Sequence, residues 1–284
     1  MYLRWGNFTR PTPSTINTST MFHQINNIRI AIEGPIGAGK SSALASIRRR
    51  VRAMHLRDPE CDFYRYLLNN TCVMEEPVSK FLYLPDSALS PLVEGYKPGS
   101  DPGDFLAMQF HIKKCLSHAL MSDDGLGHPG GMTLFLTERS KEAPIVFSKN
   151  AYLEGRLSKF AYEYFKREYQ VIDDHGVPND IIIYLDTQPE VCLARIKERN
   201  REGENNHTLE SVRHLRQTYV DHLNYAATLS SMYLRYIDLD GTETPEEVAD
   251  QIIEIIAEYL LVDPIRCCTS CQRDVEENGA TGDK

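Results

Sequence analysis

Short, mostly apolar runs at residues 28–32, 71–74, 133–136, 181–185 and 236–239 recur along the chain, separated by stretches in which apolar residues return every three or four positions. Continuous apolar runs of this length predict strands buried on both faces, and the intervening period predicts helices. Leu153, Leu157, Phe160 and Tyr164 have the spacing of one helical face, as do Val248, Ile252, Ile256 and Tyr259. Thr187 with Glu190, and Thr244 with Glu247, have capping-box spacing, with a proline inside each first turn. Strands alternating with helices predict a parallel sheet covered by helices on both faces, within one α/β domain spanning residues 28–262. In such sheets ligands bind beyond the carboxyl ends of the strands, so the polar residues after each run carry the functional reading.

After the first run stands Glu33-Gly34-Pro35-Ile36-Gly37-Ala38-Gly39-Lys40-Ser41-Ser42. It fits the phosphate-loop pattern GxxxxGK[ST] in the strand–loop–helix setting that gives the pattern meaning. The glycines let the backbone aim its N–H groups at phosphate oxygens, and the following helix adds its positive end to the same anion. Lys40 supplies a full charge to the outer phosphates, and the Ser41 hydroxyl is placed for magnesium.

Composition narrows the classes. With 284 residues, 42% of them hydrophobic, the chain can bury a full core. A net charge of −9 without a long basic stripe argues against dedicated nucleic-acid binding, and no apolar run is long enough to span a bilayer. The seven cysteines lack disulfide-framework spacing and read as reduced thiols of an intracellular protein. Cys268 and Cys271 form a CxxC, but no second pair or histidine follows to complete a metal site. Residues 1–27 carry Arg4 and Arg10 and no acidic side chain, which resembles a weak transit peptide; a plain disordered extension is the preferred reading. A cytoplasmic location is therefore expected ahead of a mitochondrial one. Residues 263–284 read as a disordered tail.

The segments after the later strands carry charge. Glu75-Glu76-Pro77 follows the second, Glu138-Arg139-Ser140 the third, and an arginine-dense segment from Arg195 to Glu204 follows the fourth and its helix. Phosphoryl transfer needs a base for the attacking hydroxyl, a carboxylate near the metal and cations for the transferred group. Glu76, Glu138 and the cluster Arg195, Arg199 and Arg201 supply one of each. Strand alternation turns Glu75 and Glu76 to opposite faces, so only one reaches the cleft.

The succession IEGPIGAGKSS, EEPVSKF, a helix with Gln109, TERS and YLDTQPEVCLARIKERNREGE resembles the deoxyribonucleoside kinase family, over about Ile28 to Leu260. The resemblance implies a P-loop kinase fold, with a five-stranded parallel sheet and an arginine-bearing lid, that transfers the γ-phosphate of ATP, with Mg2+, to a deoxynucleoside 5′-hydroxyl. It also implies a homodimer. It assigns Glu76 as general base, Glu138 and Ser41 to the magnesium side, and Arg139 to the 5′-oxygen. Gln109 resembles the reader of the nucleobase edge, its amide able to donate and accept at once. Tyr96 and Glu204 resemble the pair gripping the sugar 3′-hydroxyl, and Phe147 an aromatic stacking on the base. Phe81 stands where the family usually has tryptophan.

The second arginine that the family commonly carries after Glu-Arg-Ser is missing from Lys141-Glu142-Ala143-Pro144, and that stretch offers no aspartate. The helix positions that hold an arginine in purine- and cytidine-selective relatives are Ile112 and Leu116. This apolar pair resembles the thymidine-accepting branch, so a pyrimidine deoxynucleoside is the expected acceptor, thymidine first and deoxycytidine next. Two rival readings stand beside this one: a nucleoside-monophosphate kinase of the thymidylate kinase kind, and a non-catalytic P-loop nucleotide-binding protein. The first would need an extra cation for the acceptor's phosphate, which Glu76 would oppose. The second would be expected to have lost a charged catalytic group, and the core ones are all present.

Overall fold

The computed structural model describes residues 27–82, 90, 95, 100–121, 133–140, 142–172, 179–201, 204, 206–229 and 235–260. The tail, the Cys268–Cys271 pair and the N-terminal extension lie outside them, except Asn27, which opens the first strand. The strands are β1 (Asn27–Glu33), β2 (Thr71–Met74), β3 (Thr133–Glu138), β4 (Ile181–Asp186) and β5 (Arg235–Asp240). They form a single parallel sheet in the order β2-β3-β1-β4-β5. Side chains alternate faces along a strand, yet every residue of β3 and nearly every one of β1 and β4 is buried. Both faces are therefore covered, as the continuous apolar runs predict. Edge strand β2 is half-buried throughout.

The helices are α1 (Lys40–Arg57), α2 (Asp62–Asn70), α3 (Val78–Leu82), α4 (Pro102–Met121), α5 (Ala143–Leu153), α6 (Lys159–Ile172), α7 (Pro189–Arg199), α8 (Leu209–Leu229) and α9 (Pro245–Tyr259). Helix α1 packs on α2 and α9, while α8 packs on α5 and α7. The core runs through Ile30 and Ile32 of β1, Leu44 and Ile47 of α1, and Ile252 and Ile256 of α9. Each such fully buried aliphatic side chain contributes about 1.5–3 kcal/mol by leaving water. Val248, Ile252 and Ile256 are buried as their spacing predicts, and Thr244 and Glu247 form the expected capping box at the start of α9.

Two expected local features are absent. Thr187 does not cap α7, which starts at Pro189 behind Gln188; its hydroxyl donates instead to the Ala38 carbonyl at 3.0 Å. The periodicity from Leu153 to Tyr164 does not mark one helix face either. Helix α5 ends at Leu153, α6 begins at Lys159, and Phe160 and Tyr164 are exposed. A turn at Gly155, with φ 74°, interrupts the helix, and spacing counted across a break carries no facial meaning.

Candidate active site

Beyond the carboxyl ends of the strands lies a cleft of about 360 Å³ whose lining runs from the phosphate loop through Glu76, Gln109, Arg139 and Phe147 to Arg199 and Glu204. The loop after β1 turns through Gly37, at φ 80°, and Gly39, at φ 101°, before α1 begins at Lys40. A side chain at Gly37 would also place its Cβ 2.4 Å from the carbonyl oxygen of Cys192 on α7. Glycine therefore meets both a backbone and a packing requirement there.

Lys40 folds back on its own loop, donating to the carbonyls of Gly34 at 3.1 Å and Pro35 at 2.9 Å. Burial, reinforced by the Arg139 charge, pulls its ammonium from the ordinary 10.5 down to about 8. Phosphate oxygens would favour the charged form and raise that value again. At pH above about 8, nucleotide binding is thus expected to take up a proton and to weaken as pH rises. Calorimetry in buffers of different ionisation enthalpy checks this; binding without proton exchange at pH 8.5–9, roughly where the empty site is deprotonated, would contradict it.

The strand ends of β2 and β3 bring the acidic residues together. Glu138, the last residue of β3, accepts from the Ser41 hydroxyl at 2.8 Å and, through its other oxygen, from the Glu76 backbone N–H at 3.3 Å. Arg139 follows in the left-handed region, with φ 69°, its N–H still donating to Ile32. Its Nε donates to Glu76 at 2.9 Å and its Nη1 to the Gly34 carbonyl at 3.1 Å. Burial disfavours the Arg139 charge, but Glu76, Tyr219, Glu33 and Glu138 around it outweigh burial and push its pKa up. Glu75, as strand alternation requires, points away and reaches exposed Arg48 at 3.3 Å.

Two residues of this group went unread in the sequence. Buried Glu33 accepts from both the N–H and the hydroxyl of Ser140 at 2.6 Å. Tyr219 of α8 accepts from Arg139 Nη1 at 2.8 Å. Glu33 did carry a signal, since a carboxylate closing an apolar strand must find partners when buried. Tyr219 carried none, because an aromatic in an amphipathic helix reads as core.

All three arginines of the segment line the cleft, but with different partners. Arg195 lies across the phosphate loop, Nη1 donating to the carbonyls of Ala38 at 3.2 Å and Gly241 at 3.0 Å. Arg199 and Arg201 both pair with Glu204, the latter at 3.1 Å. In this structure the single charge of Glu204 is therefore shared between two cations.

Gln109 of α4 also lines the cleft, 1% exposed, with both amide atoms buried and unpartnered. Val78, Ile112, Ala143, Pro144 and Phe147 line the same cleft, and Arg139 stacks over the Phe147 ring at 5.0 Å. Leu116 is a correction: two turns further along α4, it belongs to the buried cluster of Phe105, Met108 and Leu157 and is not among the described residues lining the cleft. Tyr96 and the side chain of Phe81, which sits in α3, lie outside the described residues. No described residues gather three histidine, cysteine or carboxylate ligands, and no described helix is long and apolar enough to cross a membrane.

Residues 30–261 match the family model described as Deoxynucleoside kinase. The chain is 28% identical over 196 residues to mitochondrial thymidine kinase 2 of Homo sapiens, covering 67% of this chain and 63% of that protein. It is 26% identical over 230 residues to a deoxyadenosine kinase of Dictyostelium discoideum, covering 80% and 79% respectively. The fold is similar to that of deoxyadenosine kinase from M. mycoides with bound dCTP, with a TM-score of 0.61 at 19% identity, covering 81% of this chain and 100% of that one.

Proposed function

The chain belongs to the deoxynucleoside kinase family, and we propose that it phosphorylates the 5′-hydroxyl of a pyrimidine 2′-deoxynucleoside, thymidine first, using ATP. The observation that carries this reading is Gln109. A buried amide with neither donor nor acceptor satisfied is costly, and a nucleobase edge in the same cleft as the phosphate loop supplies both partners. The relatives include a thymidine kinase and a deoxyadenosine kinase, so their names do not choose the base. The apolar wall of Ile112, Ala143, Pro144 and Phe147 favours thymine, whose 5-methyl group gains about 0.8 kcal/mol from apolar burial.

In this reading Glu76 takes the proton from the 5′-hydroxyl as its oxygen attacks the γ-phosphorus, and the bond to the β-phosphate oxygen breaks to release ADP. Arg139 orients Glu76 through its Nε bond. Lys40 and the loop N–H groups bind the donor phosphates, and Arg199 and Arg201 leave Glu204 to meet charge developing on the transferred group. Ser41 and Glu138, already 2.8 Å apart, suit a magnesium ion, which would offset phosphate charge while keeping most of its ligands as water and phosphate. The Glu76 carboxylate, on the cleft wall, disfavours an acceptor that already carries a phosphate.

Steady-state kcat/KM for thymidine, deoxycytidine, deoxyadenosine, deoxyguanosine and dTMP tests the proposal. Thymidine should lead, deoxycytidine follow and dTMP remain inert. A purine preference would remove the base assignment; turnover of dTMP alone would remove the nucleoside kinase reading itself.

A further inference from the structure

Arg139 occupies a conformation that a non-glycine residue adopts at a cost, and it does so beside three carboxylates while almost fully buried. Such strain persists only where the surroundings over-determine it. Glu76, which lines the cleft, accepts from its Nε, and the Gly34 carbonyl accepts from its Nη1. The opposing contacts come from elements that do not line the cleft. The Tyr219 hydroxyl, on α8, accepts from Nη1 at 2.8 Å, and a Glu33 oxygen lies 3.8 Å from the same nitrogen. The other Glu33 oxygen fixes Ser140, the next residue, at both its N–H and its hydroxyl. We infer that Tyr219 and Glu33 are positioning residues, which clamp Arg139 and Ser140 from behind so that the Arg139 Nε is aimed at Glu76.

The inference deepens the proposed function and, for its catalytic consequence, rests on it. Tyr219 is suited to the task. Its ring is locked edge-on to Phe147 at 6.2 Å and tilted against Tyr184 at 5.8 Å, so the hydroxyl has little freedom. Burial pushes the phenol pKa far up, so the oxygen stays neutral and accepts from Arg139 without adding a further charge. Helix α8 follows the segment that carries Arg201 and Glu204, so the clamp also ties the helix behind the lid to the catalytic arginine.

Tyr219→Phe removes the oxygen and keeps the ring. It is expected to lower kcat about tenfold, the scale of one bond to a charged group, with the thymidine dissociation constant within about twofold. In an Arg139→Lys background, which lacks Nη1, the same change is expected to have no further effect; a purely packing role would act equally in both backgrounds. Glu33→Gln, which can still accept from Ser140 but turns an N–H2 toward Arg139, is expected to behave in the same non-additive way. Wild-type kcat in Tyr219→Phe, or equal losses in both backgrounds, overturns the inference. The same cycle run on the unfolding equilibrium reads the contact without turnover. An enzyme with no deoxynucleoside kinase activity would therefore remove the proposed function, whereas additive unfolding effects would remove this clamp.

Discussion

Glu76→Gln is expected to lower kcat by about a hundredfold or more, the scale on which general-base catalysis contributes, while nucleoside affinity changes far less. The substitution is conservative in shape, and the glutamine oxygen can still accept from Arg139 Nε, now at 2.9 Å, so the pocket wall keeps its form. What it loses is the ability to take a proton. Glu75→Gln provides the internal comparison, since Glu75 shares an exposed ion pair with Arg48 and such pairs contribute little. Pre-steady-state and steady-state kinetics with thymidine decide between them. A near-native Glu76→Gln beside a crippled Glu75→Gln would assign the base to the wrong glutamate.

Arg199→Ala is expected to reduce kcat by about a hundredfold, as loss of a cation acting on developing charge does, with a smaller change in KM for the donor. Arg199 closes α7 next to Asn200, which caps the helix in the left-handed region with φ 45°. There its guanidinium can exchange one anion for another: Glu204 without nucleotide, a phosphate with it. The control is Arg213→Ala. Arg213 is exposed and paired with Glu190 at 2.5 Å, and its loss should leave kcat within about twofold. Equal effects at both arginines would make the arginine-dense segment a solvated face.

How much of this could be read beforehand depends on whether the cue was local. The strands were legible because burial on both faces leaves a continuous apolar run, and their ends fall within a residue or two of the expected limits. The phosphate loop was legible because its turns demand glycine at fixed spacing. Alternation indicated that only one of Glu75 and Glu76 would reach the cleft, the family resemblance chose Glu76, and the two side chains do turn to opposite environments. Features that depend on what a distant segment brings were hidden. Thr187 before a proline has the look of a cap, but its partner is the Ala38 carbonyl, 149 residues away in sequence. Arg195 shares a helix face with Arg199, yet carbonyls from two other loops claim it. Leu116 shares a face with Gln109 and still misses the cleft, because a helix travels about 10 Å in two turns.

The contact between Gly37 and the backbone of Cys192 bears on how such a site can diversify. Helix α7 rests directly on the apex of the phosphate loop, so the seat of the donor phosphates and the helix carrying Arg195 and Arg199 share one wall. Their separation cannot be retuned by ordinary substitution, since any side chain at position 37 would displace both at once. Gln109 and Ile112 of α4, and Pro144 and Phe147 of α5, stand on other elements. In the proposed function, substitutions on α4 and α5 could therefore alter contacts to the base without touching the wall that α7 shares with the phosphate loop.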